Sequence, residues 1–392
     1  MIAYTCVHCG GRMKIMDEDG SKKAKCRKCG SMVSIAGTKP GRRKAAGSTG
    51  SGERTTALPP GPVPTQQFAR APDESSETGS SPNIQEMATR SETPVANPNL
   101  TSFLSPAQSD DEIGRLGKYR VLEVLGAGGM GVVFKAEDPQ LRRLVALKAM
   151  LPALAASDTA RQRFLREAQA AAAIQHDYIV PIYDVGEDNG VPYLAMPFLR
   201  GESLDVHLGK VGGPLPTAEV LRIGVQIAEG LAAVHELGLI HRDVKPANVW
   251  LETLAGEAGG SSPRNRVKIL DFGLARAARG DAQLTQEGSI VGSPAYMAPE
   301  QANRQAIDAR ADLFSLGCVL YLMATGSLPF EGDDALTTLL AVTSADPVPP
   351  CERNPQLSES VSKLVMSLLA KRPADRPASA QAVIETMRKL MQ

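Results

Sequence analysis

The chain has 392 residues, 43% of them hydrophobic and 4% aromatic, and its formal net charge is zero. Its longest apolar run near the C-terminal end, residues 313–324, is shorter than the roughly 20 residues that a membrane helix needs. The first residues lack the basic start and apolar core of a signal peptide, so we expect no membrane insertion and a cytoplasmic location.

Charge is unevenly distributed along the chain. Residues 1–50 hold 11 Lys and Arg against 3 Asp and Glu. Such a basic segment could contact nucleic acid or anionic lipid, or it could simply keep a small module soluble. Because aromatic residues for base stacking are nearly absent there, nucleic acid is the less favoured partner of residues 1–50.

Four cysteines near the N-terminus form two C-x2-C pairs, each followed by glycine. Two such turns can direct four thiolates at one ion, which is the tetrahedral ligand set of structural Zn²⁺. About 30 residues cannot bury a stabilising core, so metal binding would have to supply the folding free energy. We therefore predict a zinc ribbon over residues 1–35, in preference to disulfides or a redox pair. The predicted ligands are Cys6, Cys9, Cys26 and Cys29.

Residues 36–112 are rich in Gly, Pro, Ser and Thr and show no sustained apolar period. A segment of this composition cannot bury enough surface to offset the entropy lost on ordering. The composition therefore predicts a disordered linker between the ribbon and the rest of the chain.

From residue 119 the pattern changes to short β-branched runs on both sides of a glycine-rich loop, G-x-G-x-x-G in residues 126–131. A dinucleotide-binding loop leads into a helix, and a P-loop needs Lys and then Ser or Thr after its last glycine. Here Val-Val-Phe-Lys follows the last glycine and favours a strand. Strand, glycine loop and strand form a hairpin that covers phosphates from above.

Further motifs follow in a fixed order: VALK, FLREA, HRDVKPAN, DFG and APE. Phosphoryl transfer needs positioned charges and oxygen ligands for a metal rather than covalent chemistry by the protein. The charged and polar residues that the first four motifs supply are Lys148, Glu167, Asp243, Lys245, Asn248 and Asp271.

With these motifs the chain resembles eukaryotic-type Ser/Thr protein kinases, especially bacterial ones with the form GTPAYMAPEQ, here GSPAYMAPEQ. The resemblance covers residues 119–390. It implies an α+β, bilobal protein kinase fold with a β-rich N-lobe and a helical C-lobe. It also implies an enzyme that transfers the γ-phosphate of ATP to Ser or Thr hydroxyls of protein substrates.

Individual roles follow from the same resemblance. Asp243 would orient the substrate hydroxyl and take its proton, and Lys245 would steady the γ-phosphate. Asn248 and Asp271 would hold Mg²⁺ or Mn²⁺ against the phosphates. Lys148 would hold the α- and β-phosphates, with its direction fixed by an ion pair with Glu167.

The resemblance places adenine between Val133 and Ala146 above and the hinge below, where Leu199 donates its N–H. Pro197 stands where many relatives have Glu, but only the carbonyl of that residue is used and proline keeps it. The ATP-binding residues implied are Leu125, Gly126, Ala127, Gly128, Gly129, Met130, Gly131, Val133, Ala146, Lys148, Met196 and Leu199.

Regulation is also implied by the resemblance. Arg242 marks the subclass in which a phosphate on the activation loop pairs with that arginine. The phosphosite candidates are Thr285, Ser289 and Ser293, the last of which is also expected to contact Asp243 and Lys245. Autophosphorylation in trans would require a transient homodimer.

Two residues are expected to hold the fold rather than to act in chemistry. Asp312 matches a buried structural position of the large lobe, and Arg376 is expected to pair with Glu300. Two other classes of function stay open: a pseudokinase scaffold, and a zinc ribbon that docks protein or nucleic-acid partners with the kinase domain as an appendage.

Overall fold

The computed structural model describes residues 100–128, 131–254, 265–271 and 293–392, together with the backbone of four short strands before residue 35. The chain divides into two compact units, Met1–Glu77 and Thr78–Gln392. In the first unit, strands pair as two antiparallel hairpins, β1 with β2 and β3 with β4. These strands are β1 (Ile2–Thr5), β2 (Arg12–Ile15), β3 (Lys23–Lys25) and β4 (Met32–Ser34).

Each C-x2-C pair falls between the two strands of one hairpin in the sequence. Cys6 and Cys9 follow β1, and Cys26 and Cys29 follow β3. All four cysteines lie outside the described residues.

The N-lobe of the second unit is a six-stranded antiparallel sheet in the order β5-β6-β7-β8-β10-β9. Side chains alternate along its strands, so Val132, Phe134 and Ala136 are fully buried on one face. The glycine-rich loop joins β6 and β7, as the sequence predicts. The strands are β5 (Gly114–Leu116), β6 (Tyr119–Gly128), β7 (Gly131–Asp138), β8 (Arg143–Met150), β9 (Asp184–Asp188) and β10 (Val191–Pro197).

The ordered N-lobe begins earlier than the sequence predicts. The Phe103 ring lies 6.1 Å from that of Phe134 between centroids, and Leu104 packs against the same buried cluster. Ser105 exchanges two backbone hydrogen bonds, of 2.8 and 2.9 Å, with β5. The prediction of disorder is therefore wrong for residues 100–112, because apolar side chains in a polar segment cover the sheet face.

A buried carboxylate ties the same segment to the sheet. The Glu112 side chain is fully buried and contacts Arg115 Nε at 3.0 Å and Arg120 Nε at 2.9 Å. Arg120 also reaches Asp111 at 2.7 Å and Glu137 on β7 at 2.6 Å. Hydrogen bonding from Arg115 outweighs burial and lowers the pKa of Glu112 to about 2.

Gly114→Ala is expected to destabilise the N-lobe. Gly114 has φ +155°, and a Cβ there would lie 2.8 Å from Leu104 Cβ and 2.9 Å from Ser105 O. We expect a loss of about 1–3 kcal/mol in the free energy of unfolding, measured by urea denaturation. Gly213→Ala is the control, since its Cβ meets nothing within 4 Å; equal stability of the two variants would contradict the prediction.

Two helices follow β8 and cover the other face of the sheet. The composition of residues 160–174 predicts a helix with Ser157 or Asp158 as its N-cap. In the structure the second helix begins after Ser157, whose hydroxyl accepts a hydrogen bond from Ala160 N at 3.4 Å, so Ser157 is the N-cap. Phe164 and Ala168 of this helix pack against Met196 of β10. The helices are α1 (Pro152–Ala155) and α2 (Asp158–Ala172).

The C-lobe is helical and contains the largest core cluster. In the sequence, residues 216–238 predict a helix with an apolar stripe of five residues. The structure confirms this stripe on the long helix α4, since all five members are fully buried: Val220, Ile223, Ile227, Leu231 and Val234. The apolar run at residues 313–324 lies in the buried helix α6. The helices are α3 (Leu204–Val211), α4 (Thr217–Glu236), α5 (Pro299–Ala302), α6 (Arg310–Thr325), α7 (Ala335–Ser344), α8 (Pro350–Arg353), α9 (Glu359–Leu368) and α10 (Ala380–Leu390).

A small antiparallel sheet has the order β11-β12-β13; β12 follows the HRDVKPAN motif and β13 precedes DFG. Residues 255–264, between β12 and β13 in the sequence, are outside the described part. No helix within the described ranges has both the length and the hydropathy of a membrane span. The strands are β11 (Gly201–Ser203), β12 (Val249–Glu252) and β13 (Arg266–Ile269).

Candidate active site

One buried carboxylate fixes the backbone of the HRD segment. Asp312 of α6, fully buried, accepts hydrogen bonds from the N–H groups of His241 at 2.8 Å and Arg242 at 2.7 Å. His235, near the end of α4, places Nε2 2.8 Å from the same carboxylate. Arg242 has φ +65°, a conformation that persists only when its surroundings hold it. Asp312 therefore positions the backbone that leads to Asp243, and its predicted burial is confirmed.

The structure brings three predicted residues together at one oxygen atom. Lys245 Nζ lies 2.9 Å from Asp243 Oδ2, and Asn248 Nδ2 donates to the same oxygen at 2.9 Å. Asn248 Nδ2 also donates to the backbone oxygen of Asp243 at 2.8 Å. The Asp243 side chain is 22% exposed, so its carboxylate remains accessible while its direction is fixed.

Lys148 and Asp271 form a second cluster, which the sequence did not predict. Lys148 Nζ lies 2.6 Å from Asp271 Oδ1. Burial disfavours the charged carboxylate of Asp271, but the Lys148 ammonium outweighs it and holds the pKa of Asp271 below its usual value. Asp271 is therefore ionised at neutral pH and presents an anionic oxygen to a cation.

His241 joins the two clusters. Its Nδ1 accepts the Asp243 backbone N–H at 3.3 Å, which leaves the proton on Nε2 for the Leu270 carbonyl at 2.9 Å. Leu270 is the residue before Asp271. The HRD segment and the end of β13 are thus held in one arrangement.

Several predicted ATP-binding residues share one face of the N-lobe sheet. Val133 lies opposite Lys148, and Met196 lies opposite Ala146. Because directly opposed residues project to the same side of a sheet, these four side chains lie on the face toward α2. Leu199 packs against the cluster that contains Met196.

The remaining predicted nucleotide contacts are on the β6–β7 hairpin. Residues 125–128 end β6 and Gly131 begins β7, with Gly128 opposite Gly131. The Leu125 side chain is exposed. Gly129 and Met130 lie outside the described residues.

Trp250 is a residue near the site that the sequence analysis did not select. Its neighbours on β12, Val249 and Leu251, are buried in the C-lobe core, so Trp250 projects from the opposite face of the strand. Its Nε1 donates to the carbonyl of Arg200 at 3.3 Å, just after the hinge. The sequence could have indicated Trp250, because it is the only tryptophan of the chain and lies two residues after Asn248.

Glu167 lies on α2, at the edge of a cavity of about 200 Å³ that Arg242 also lines. The wall of the cavity is completed by the end of α4 and the following residues, including Val234 and Leu239. The glutamate of FLREA and the arginine of HRD are therefore close to the same space.

The activation segment is described only in its last part. Thr285 and Ser289 lie outside the described residues, and Ser293 begins the described part that leads to APE. Among described residues, the Ser293 hydroxyl forms no hydrogen bond with Asp243 or Lys245. The Asp243 carboxylate is occupied by Lys245 and Asn248 instead.

The predicted pair of Arg376 and Glu300 is confirmed as a bidentate, fully buried contact. Arg376 Nη1 and Nη2 donate to the two Glu300 carboxylate oxygens at 2.7 and 2.8 Å. Arg376 Nε and Nη1 also donate to the carbonyls of Ala370 and Arg310, each at 2.8 Å. This pair anchors the APE segment to the C-terminal part of the C-lobe.

The donor atoms of Asn248 and Asp271 suit a hard cation. The Asn248 side-chain nitrogen donates a hydrogen bond to Asp243, so the Asn248 side-chain oxygen is the atom that could ligate a cation. Asp271 offers a carboxylate oxygen as a second ligand. Within the described ranges, no three His, Cys, Asp or Glu side chains converge on one metal position. A cation held by these two residues would therefore need phosphate or water oxygens as further ligands.

The two-lobed fold and the paired clusters are those of a protein kinase domain. The chain matches the family model described as "Protein kinase domain" over residues 119–387. It belongs to this family, whose members use ATP with Mg²⁺.

Curated relatives are bacterial Ser/Thr kinases. The chain is 38% identical over 269 residues to serine/threonine-protein kinase PknB of Mycobacterium leprae, a match of 67% of this chain and 41% of that protein. It is 37% identical over 282 residues to serine/threonine-protein kinase pkn3 of Myxococcus xanthus, a match of 70% and 50%. The chain thus spans half or less of the length of these two relatives.

Solved structures show the same fold. The crystal structure of the Mycobacterium tuberculosis PknI kinase domain is similar with a TM-score of 0.56 at 30% identity, over 72% of this chain and 99% of that one. The bilobal kinase fold predicted from the sequence is therefore confirmed.

Proposed function

We propose that this chain is an ATP-dependent serine/threonine protein kinase that phosphorylates protein substrates. The observation that carries the proposal is the convergence of Lys245 and Asn248 on one oxygen of Asp243. The test is incubation with γ-labelled ATP and Mg²⁺, followed by phosphoamino acid analysis. We expect label on Ser and Thr; no label, or label on Tyr alone, would contradict the proposal.

In the proposed mechanism the chain supplies position and charge. Asp243, held in direction by Asn248, orients the acceptor hydroxyl and takes its proton. Lys245, already beside that carboxylate, neutralises charge that develops on the γ-phosphate. A magnesium ion, when bound, would neutralise the phosphate oxygens, and Asn248 and Asp271 would hold it.

Lys148 is proposed to bind the α- and β-phosphates, with Glu167 directing it. Its ammonium contacts Asp271 in the structure, so it lies next to the residue proposed to hold the metal. If Asp271 held a metal ion, its carboxylate would be less available to Lys148, and the Lys148 ammonium would then contact the phosphates.

The nucleotide is proposed to bind on the sheet face that carries Val133, Ala146 and Met196, covered by the β6–β7 hairpin. Leu199 is proposed to supply the hinge N–H for adenine. The hairpin residues proposed to cover the phosphates are Leu125, Gly126, Ala127, Gly128, Gly129, Met130 and Gly131. We add Trp250, whose indole, anchored to the Arg200 carbonyl, would form the floor under the base.

Trp250 makes nucleotide binding directly observable. We expect a non-hydrolysable ATP analogue to change the emission of this single tryptophan, since a purine would lie against its ring. Trp250→Ala is expected to weaken binding by about 1–3 kcal/mol, the range for base–aromatic stacking, measured by calorimetry. Unchanged emission while calorimetry detects binding would contradict this position of Trp250; Trp250→Phe, which keeps a ring, is the control.

Regulation by phosphorylation is proposed at the activation segment. Phosphate on Thr285 or Ser289 would pair with Arg242, and Ser293 is the third candidate site. Transfer between two copies would need a transient homodimer. Phosphosite mapping after incubation with ATP tests the sites. The initial rate of autophosphorylation, measured at several protein concentrations, tests the homodimer, because transfer in trans makes this rate rise more steeply than in proportion to the protein concentration.

We also propose a structural Zn²⁺ bound by Cys6, Cys9, Cys26 and Cys29. The support is the C-x2-C spacing of each pair and the antiparallel pairing of the strands that flank it. Four thiolates would leave no open position for chemistry, so this module would dock a protein partner rather than catalyse a reaction.

Metal analysis of the full-length chain tests the zinc proposal. We expect one zinc per chain by plasma mass spectrometry, lost in Cys26→Ser because a ligand is removed. Cys351→Ser is the control, since Cys351 is a free cysteine of the C-lobe and should leave the zinc content unchanged. Less than one zinc per ten chains after purification in zinc-supplemented buffer would contradict the proposal.

A further inference from the structure

A second cavity shares no lining residue with the proposed active site. It measures about 670 Å³ and lies between the loop after α2, helix α4 and strand β13. Lys268, His176, Tyr178 and Asp177 are among the residues that line it. None of them belongs to the proposed phosphotransfer machinery.

Lys268 projects into this cavity from β13. The residue is 8% exposed, and its ammonium forms no hydrogen bond or ion pair with any residue in the described part of the chain. Burial, and then the nearby Arg266, lower the pKa of Lys268. Because burial of the residue disfavours its charged form, this ammonium would gain from an anion bound in the cavity.

Two further donors face the same space. Tyr178 N donates to His176 Nδ1 at 3.3 Å, which places the ring proton on Nε2. Burial raises the pKa of Tyr178, so its hydroxyl stays protonated. Within the described ranges, neither His176 Nε2 nor the Tyr178 hydroxyl has a hydrogen-bond acceptor.

The wall of the cavity is preformed. Ile269 N donates to the Tyr178 carbonyl at 2.8 Å, and Val180 N donates to the Ile269 carbonyl at 3.0 Å. The His176 and Tyr178 rings are also in edge contact, with centroids 5.5 Å apart. The loop therefore holds its donors against β13 before any ligand arrives, which lowers the entropic cost of binding.

We propose that this cavity binds the carboxylate group of a small organic acid through Lys268, His176 Nε2 and the Tyr178 hydroxyl. A carboxylate fits better than a phosphate dianion because Asp177 lines the same cavity and repels a second charge. Glu229, also in the wall, is already neutralised by Arg388. The bound ligand would contact the strand that leads to Asp271.

The test is thermal unfolding of the full chain in sodium acetate, sodium benzoate and sodium phosphate, against sodium chloride at equal ionic strength. We expect both carboxylates to raise the Tm of the wild type in a saturable way. Lys268→Met should abolish the shift, and it should fold because methionine fills the space of the buried lysine stem without its charge. Tyr178→Phe should weaken carboxylate binding about tenfold, because it removes one hydrogen bond to a charged group. If Lys268→Met does not fold, Tyr178→Phe takes its place in the test.

Lys363→Met is the matched control, since Lys363 lies on the surface and pairs with Glu359. It should respond to carboxylates as the wild type does. The proposal is overturned if the carboxylates act no more strongly than chloride, or if their effect survives in Lys268→Met and Tyr178→Phe. A larger saturable shift with phosphate than with either carboxylate would also overturn it.

Discussion

Asp243→Asn is expected to lower the rate of phosphate transfer by about 10²–10⁴-fold, the range for the loss of a positioned acid–base group. Asn keeps the shape of the side chain but cannot take a proton from the acceptor hydroxyl. Its partners Asn248 and Lys245 remain in place, so the fold should be retained. The measurement is the initial rate of label transfer from γ-labelled ATP, together with calorimetric nucleotide affinity.

Two comparisons separate loss of chemistry from loss of structure. Asp375→Asn removes a surface carboxylate that pairs with Arg372 at 3.7 Å, and it should transfer phosphate at the wild-type rate. Asp243→Asn should bind nucleotide nearly as the wild type does, because Asp243 is assigned to the acceptor hydroxyl. If Asp243→Asn transfers phosphate at the wild-type rate, the proposed role of Asp243 is wrong.

Arg376→Met is expected to cost about 3–5 kcal/mol of stability, the range for removal of one partner from a buried ion pair. It leaves Glu300, whose side chain is 2% exposed, as a buried charge without its counterion. It also removes the donors to the carbonyls of Ala370 and Arg310. Urea denaturation of the wild type and the variant measures the difference.

The double variant Arg376→Met with Glu300→Gln separates the two contributions. Removing both charges should destabilise less than the sum of the single variants, because no uncompensated carboxylate remains. Lys363→Met, which breaks an exposed pair with Glu359, should leave the unfolding midpoint unchanged. An Arg376→Met variant as stable as the wild type would show that this pair does not hold the C-lobe.

The sequence predicted the parts of this protein that depend on local spacing. The hydrophobic stripe of α4, the N-cap Ser157 and the strand–loop–strand hairpin follow from periods and caps that act over a few residues. The HRDVKPAN residues lie together because Asn248 is only five residues from Asp243, so their contacts too are largely local.

Contacts across long sequence distances needed the tertiary structure. Sequence resemblance marked Asp312 as buried, but only the fold shows it accepting the N–H groups of His241 and Arg242, about 70 residues away. Similarly, the contact of Lys148 with Asp271 joins β8 to the end of β13. The spacing of residues along the chain does not show which of several carboxylates a lysine ammonium will contact in the folded protein.

The sequence by itself thus determined the family, the motifs, the strands around the glycine-rich loop and the helices α2 and α4, because these depend on the order and period of residues. The tertiary structure decided that residues 100–112 cover the N-lobe sheet, that Trp250 lies beside the hinge, and that Lys268 lines a cavity beside the loop after α2. Each of these depends on surfaces that meet only after the strands have paired and the two lobes have packed.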